Sequence, residues 1–333
     1  MQIIQDAPLS SLCPRFMEEE KVKGLSIALV KQGHILASEV FGVRDEAGTK
    51  VTADTVFECA SLTKVLFACL ALCHLERLQI SLDEPIAPRL GEAPWSDSPW
   101  FGEITPAHVL SHASGLVNWA SRPIPMQFAP GHGFLYSGEG YFLLQHMLEH
   151  NTGKTMDCLM DEAIFRPLHM DASACVWTPS LSRRFSAGFD ADGKPCKIRT
   201  ERRVTGNGPE PNAAWSLYAN AGEYAVFLSA LLSDPLFRRT LDIMRLPRNT
   251  APCGIQWGLG LGLCPAEPSL FWHWGDNTGF QSLFVCDAQT GDGLVAVTNS
   301  SQGLSLCFRL LEAYTDLPEG PAQSIRQFIW QAE

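Results

Sequence analysis

The segment GLSIALVKQGHILASEVFGV, Gly24 to Val43, consists of two β-rich runs on either side of Gln32 and Gly33. A short glycine-containing turn between two such runs predicts a hairpin, so the first part of the chain forms antiparallel strands. Far downstream, IQWGLGLGLC and FWHWGDNTGFQSLFVCDAQTGDGLVAVTNS return to β signals with glycine turns. GLGLG, Gly258 to Gly262, lacks the helix and acidic residue of a dinucleotide fingerprint and reads as a strand. Strands at both ends with helices between them imply that the first and last thirds share one sheet.

The intervening sequence has helical periods. From Ser61 the apolar positions Val65, Leu66, Cys69, Leu72 and Cys73 recur at helical spacing to about Leu78, where the prolines of SLDEPIAPRL break the pattern. A mostly buried helix is therefore expected to begin at Ser61. In ITPAHVLSHASGL, Thr105 is a helix cap, Pro106 the first helical residue and Gly115 the stop. Further helices fit Tyr141 to Gly153, Ala221 to Asp234 and Leu304 to Tyr314, with apolar residues three and four apart. Ser182 to Asn212, rich in glycine, proline and charge, predicts a long surface connection. A chain of 333 residues fits two domains or one large domain with an inserted lobe. In the one-domain arrangement, 1–333 divides into an α/β lobe from about 1–80 and 210–333 and a mainly helical lobe over about 81–209.

Charge narrows the partners. A formal net charge of -11, with no run of Lys or Arg longer than two, argues against nucleic acid. The start MQIIQDAPLSSLCPRFMEEE has no basic stretch followed by an apolar one, and no apolar span reaches about 18 residues. Neither an export signal nor a membrane-spanning helix is expected. Eleven cysteines, scattered without C-x-x-C pairs, look like buried thiols of a reducing compartment, which makes the cytoplasm the expected location.

The chemistry centres on FECASLTKVLFACLAL, Phe57 to Leu72, where Ser61 and Lys64 stand among apolar and small residues. Residues i and i+3 share a helix face, so Lys64 can reach the Ser61 hydroxyl. Burial disfavours the charged form of a lysine and makes it a usable base for a serine nucleophile. Ser61's own N–H, at a helix start, can face a developing oxyanion. Alone, S-x-x-K is equally a capped helix with a snorkelling lysine.

Other blocks decide between these readings. In order, GLSIALVKQGHILASEVFG, ADTVFECASLTK, SLDEPIAPRL, ITPAHVLSHASGL, FLYSGEGYFLLQHMLEHNTGKT, IFRPLHMD and HWGDNTGFQSLFV with VAVTNS resemble the serine β-lactamase and penicillin-binding protein superfamily, in particular class C β-lactamases and related esterases and peptidases. The resemblance implies a serine β-lactamase-like α/β (α+β) fold, an antiparallel sheet flanked by helices with an inserted, mainly helical lobe. It places the catalytic serine and lysine on Ser61 and Lys64, the catalytic tyrosine on Tyr136, and the Lys/His-x-Gly strand on His273, Trp274 and Gly275. The second oxyanion amide falls on Asp276. A phenol there can pass a proton to the leaving group, provided nearby positive charge stabilises its ionised form. Two positions depart from the pattern. Gly138 replaces an asparagine that binds the substrate amide and helps hold the lysine, and Trp274 replaces a small residue.

Several other residues have competing readings. His146 and His150, four apart on a predicted helix, have metal-ligand spacing, but the family helix they match needs no metal. Ser111, His112 and Ser114 read as a helix end packed behind the site. Trp95, Trp100, Phe101 and Trp119 read equally as an apolar acyl pocket or as the core of the helical lobe. The expected activity is a serine hydrolase working through an acyl-Ser61 intermediate on a small-molecule ester or amide, without cofactor or metal. An acyltransferase using the same acyl-enzyme and a catalytically silent binding module are the alternatives. Oligomeric state is not readable at this level.

Overall fold

The computed structural model describes residues 1–4, 8–196, 204–205 and 208–332. Both ends of the chain build one antiparallel sheet, as expected. β1 (Gly24–Lys31) and β2 (His34–Gly42) come from the first part of the chain. β7 (Asn249–Thr250), β8 (Gln256–Trp257), β9 (Gly262–Cys264), β10 (Glu267–Asn277), β11 (Phe280–Asp287) and β12 (Asp292–Thr298) come from the last. The order across the sheet is β2-β1-β12-β11-β10-β9-β8-β7, so β1 pairs with β12 and joins the two parts. The hairpin turn places Gln32 and Gly33 at φ 51° and 77°, the left-handed pair that a tight turn between twisted strands requires. Two short pairs lie outside the sheet: β3 (Phe57–Glu58) with β6 (Tyr218–Ala219), and β4 (Val204–Thr205) with β5 (Gly208–Pro209).

Both faces of the sheet are covered, which explains the near-continuous apolar strands. Ala28, Val30, Phe271 and Val295 face a core shared with α2 (Thr63–Arg77) and α7 (Ala221–Ser233). Leu25, Ile27, Trp272 and Leu294 face a second core with α1 (Leu9–Glu19), α9 (Gly303–Tyr314) and α10 (Glu319–Ala332). The remaining helices are α3 (Pro106–Leu110), α4 (Gly138–Thr152), α5 (Met156–Met160), α6 (Pro179–Ser182) and α8 (Pro235–Met244). No helix among the described residues is long and apolar enough to cross a membrane.

Several expectations need correction. Helix α2 begins at Thr63, not Ser61. Ser61 and Leu62 form a turn ahead of it, after Ala60 at φ 49°. Helix α3 keeps its Thr105 cap and Pro106 start but ends at Leu110, because His112 turns left-handed at φ 54°; Gly115 lies in the loop beyond. GLGLG is mainly the turn between β8 and β9, with Gly260 at φ 81°, and only Gly262 joins a strand. The described part of Ser182–Asn212 is more than a surface connection. Phe185, Ser186 and Phe189 are buried, and Ser186 N–H and Phe189 N–H bond to the carbonyls of Val56 and Asn299. Residues 197–203 and 206–207 of that stretch lie outside the described residues.

Candidate active site

Three elements hold the turn that carries Ser61. Cys59 N–H donates to the Leu217 carbonyl (2.8 Å), and Ser282 Oγ of β11 donates to the Cys59 carbonyl (3.0 Å). Tyr224 of α7 donates to the Leu62 carbonyl (3.1 Å). Thr63 Oγ1 ties the turn to itself and to Leu217, donating to the Ala60 carbonyl (2.6 Å) and accepting from Leu217 N–H (2.9 Å). This network offsets the roughly 1–2 kcal/mol that a left-handed alanine costs at position 60.

Gly275 of β10 completes the support by close approach. A Cβ there would stand 2.5 Å from the Cys59 carbonyl oxygen and 2.5 Å from Ser282 Oγ. Gly275→Ala is therefore expected to cost roughly 1–3 kcal/mol of stability, the usual range for overpacking, and to lower turnover as the Ser61 turn shifts. Thermal denaturation beside an activity assay checks both. An unchanged melting temperature would mean that this main chain yields freely.

Lys64, in the first turn of α2, is 1% exposed. Its Nζ lies 3.0 Å from Ser61 Oγ and donates to the Ala214 carbonyl at 2.7 Å. Burial holds its pKa well below the ordinary lysine value. The Ala214 carbonyl comes from a segment clamped by Gln145 of α4, which accepts from Ala213 N–H (2.7 Å) and donates to the Pro211 carbonyl (3.0 Å). No sequence signal pointed to a main-chain group as the second partner of Lys64.

Tyr136 precedes the Ser137 cap of α4 and lies face-on to Lys64, whose Nζ is 4.8 Å from the ring centre. Its hydroxyl is buried and has no partner within hydrogen-bond geometry among the described residues; the nearby Ser61 side chain is the group that favours its ionisation. Burial dominates and pushes the phenol above its ordinary value, opposing the ionised form whose stabilisation the sequence reading made a condition. Trp274 packs on the same ring at 5.0 Å between ring centres, buried against Trp272 and Phe328.

His273 is fully buried on β10. Its Nδ1 is 2.6 Å from the Trp274 carbonyl, which can only accept, so Nδ1 carries the hydrogen and Nε2 presents a lone pair without a partner among the described residues. Burial first, and the Lys64 charge second, lower its pKa to about 3. Asp276 is exposed, opposite Gln281 of β11. Pairing with β9 reaches β10 only at Glu267, Phe271 and Trp272, so from His273 onward this edge of β10 has no β9 neighbour.

Gly138 explains its own identity: a Cβ there would meet the Trp119 ring at 2.4 Å. The indole, 50% exposed, occupies the space an asparagine side chain would enter. Two other polar residues, Asn277 and Glu139, are engaged elsewhere. Asn277 donates to Glu58 at 2.6 Å, and Glu139 accepts from Ala120 N–H at 3.3 Å. The four aromatic candidates separate: Trp95 and Phe101 are core, Trp100 is exposed, and Trp119 lies over Gly138. His146 packs on Trp95 and Phe142, while the His150 ring covers Gly91, so the two rings have different surroundings.

The Beta-lactamase family model matches residues 9–309. The chain belongs to that family. It is a serine hydrolase with the fold its sequence led us to expect. Among relatives, it is 24% identical to "Esterase EstB" of Burkholderia gladioli, over 90% of this chain and 92% of the esterase. It is 26% identical to "Penicillin-binding protein 4" of Amycolatopsis lactamdurans, over 72% of this chain and 63% of that protein. The D-alanine carboxypeptidase AmpC of Burkholderia cenocepacia superposes with TM-score 0.76 at 19% identity, covering 92% of this chain and 97% of the carboxypeptidase. By name, these similar proteins are an esterase, a penicillin-binding protein and a D-alanine carboxypeptidase.

Proposed function

We propose that this Beta-lactamase family member is an esterase that works through an acyl-Ser61 intermediate. The observation that carries the reading is a buried Lys64 Nζ held 3.0 Å from Ser61 Oγ, with a carbonyl as its other partner. A neutral amine there directs an N–H to the Ala214 oxygen and its lone pair to the Ser61 hydroxyl. As Ser61 Oγ bonds to the substrate carbonyl carbon, Lys64 takes the hydroxyl proton. The oxyanion forms against backbone N–H groups, for which we assign Ser61 and Asp276. Tyr136, kept protonated by burial, gives its proton to the departing alkoxide and is reprotonated from Lys64. Water then cleaves the acyl-enzyme and releases free acid. We infer that the chain acts as one domain, with the mainly helical stretch over about 81–209 supplying Tyr136 and Trp119 as one wall of the cleft.

Ester preference rests on Gly138 and His273. An amide substrate offers an N–H and a carbonyl that an asparagine at position 138 would bind; here an indole stands in its place. His273 stays neutral at ordinary pH, so this position lacks the fixed cation that a lysine would offer to the carboxylate of a penicillin or cephalosporin. On one preparation at neutral pH, kcat/KM for p-nitrophenyl butyrate is expected to exceed that for nitrocefin by at least about a hundredfold, roughly 2.7 kcal/mol of transition-state stabilisation. Comparable values would restore a lactamase or peptidase reading.

A further inference from the structure

Among the described residues, one grips Tyr136 from both sides of the main chain, and nothing in the mechanism above uses it. His112, buried in a left-handed turn just after α3, accepts Leu135 N–H on its carbonyl oxygen at 2.9 Å. Its ring Nδ1 accepts Ser137 N–H at 3.1 Å. The two amides flanking Tyr136 therefore both hang on this one residue. The imidazole also lies 4.2 Å from the phenol ring, centre to centre, at 33° between planes. Tyr141, Trp257 and Phe134 close around it at 5.3, 5.3 and 5.8 Å.

The bonding fixes the tautomer. Because Nδ1 accepts an amide hydrogen, the ring hydrogen sits on Nε2, where it is buried and without a partner among the described residues. A buried bond left unmade is a disadvantage that phenylalanine at the same position would not carry. Phenylalanine, however, could not accept Ser137 N–H.

We propose that His112 is the positioning residue of the proton relay: its Nδ1 and carbonyl set the Leu135–Ser137 main chain so that the Tyr136 phenol meets Ser61 and Lys64. The proposal rests on the acyl-Ser61 reading. Isosteric amides separate the two ring nitrogens. His112→Asn places an acceptor oxygen where Nδ1 stands, whereas His112→Gln restores a donor where Nε2 stands and leaves Ser137 N–H unmet. With p-nitrophenyl butyrate, His112→Asn should keep kcat within about threefold of wild type. His112→Gln should lose at least about tenfold in kcat at nearly unchanged KM, within the penalty for a misplaced catalytic group.

In a Tyr136→Phe background, His112→Gln should cost less than about twofold more, because its effect passes through the phenol. Wild-type kcat in His112→Gln, an Asn variant as damaged as the Gln variant, or fully multiplicative losses with Tyr136→Phe would each overturn the proposal. Should the variants not fold, 15N-histidine NMR of the wild-type enzyme still tests it: a hydrogen on His112 Nδ1 overturns it, and one on Nε2 upholds it. Failure of the underlying reading is separable, since it would appear as wild-type turnover that survives Ser61→Ala.

Discussion

Ser61→Ala is expected to reduce ester turnover to near background, a loss of about a thousandfold or more, and to abolish covalent labelling by a fluorophosphonate. The substitution removes one hydroxyl and little else. The bonds that shape its turn run through Cys59, Ala60, Leu62 and Thr63, while the Ser61 hydroxyl meets the Lys64 amine at 3.0 Å. Lys64 keeps the Ala214 carbonyl as a partner, so no buried charge is stranded. The melting temperature should accordingly stay close to wild type while activity disappears. A folded variant with more than a tenth of wild-type activity would remove Ser61 from its role.

Lys64→Ala and Tyr136→Phe should each slow acylation by at least about a hundredfold, the lower end for loss of a positioned acid or base. The double variant should lose much less than the product of the two, because both groups move one proton between Ser61 and the leaving group. Multiplicative losses would argue for two independent roles. Lys64 also has a signature in stability. Its folded pKa lies below its unfolded one because of burial. Between those values the unfolded chain holds a proton that the folded chain has released, so stability rises with pH across that window. Lys64→Met leaves an apolar chain in the same space and removes this dependence. Its advantage over wild type in urea midpoint should be largest near neutral pH and shrink under mildly alkaline conditions. An advantage that does not change with pH would mean that Lys64 folds with its charge intact.

Much of this was legible in sequence, and the legible part is local. The β1–β2 hairpin follows from two β-rich runs around Gln32 and Gly33, and α4 and α7 from apolar residues three and four apart. The spacing of Ser61 and Lys64 brought their side chains together even though α2 starts two residues later than expected, because Lys64 N–H bonds to the Ser61 carbonyl (3.0 Å) in a tight turn that keeps residues three apart on one face. Helix α1 also had a readable stripe, Leu9, Cys13, Phe16 and Met17, but Pro14 lies within it and obscured the period. Ordered blocks along the chain, not any single motif, led to Tyr136 and His273.

The tertiary structure alone decided what those residues can do. Periodicity, capping and turn chemistry depend on neighbours in the chain, so a sequence carries them directly. Protonation state and reach depend on what distant segments place around a group. Lys64 is held below its ordinary pKa because packing excludes water from it, and residues held by Gln145 bring the Ala214 carbonyl to it. The Tyr136 phenol is pushed above its ordinary pKa because the same packing buries its hydroxyl. Gly138 became intelligible only when the Trp119 ring was found in the space above it. His112, which the sequence suggested was packing behind the site, proved to hold both flanks of Tyr136, through contacts that close only when the turn after α3 meets the approach to α4.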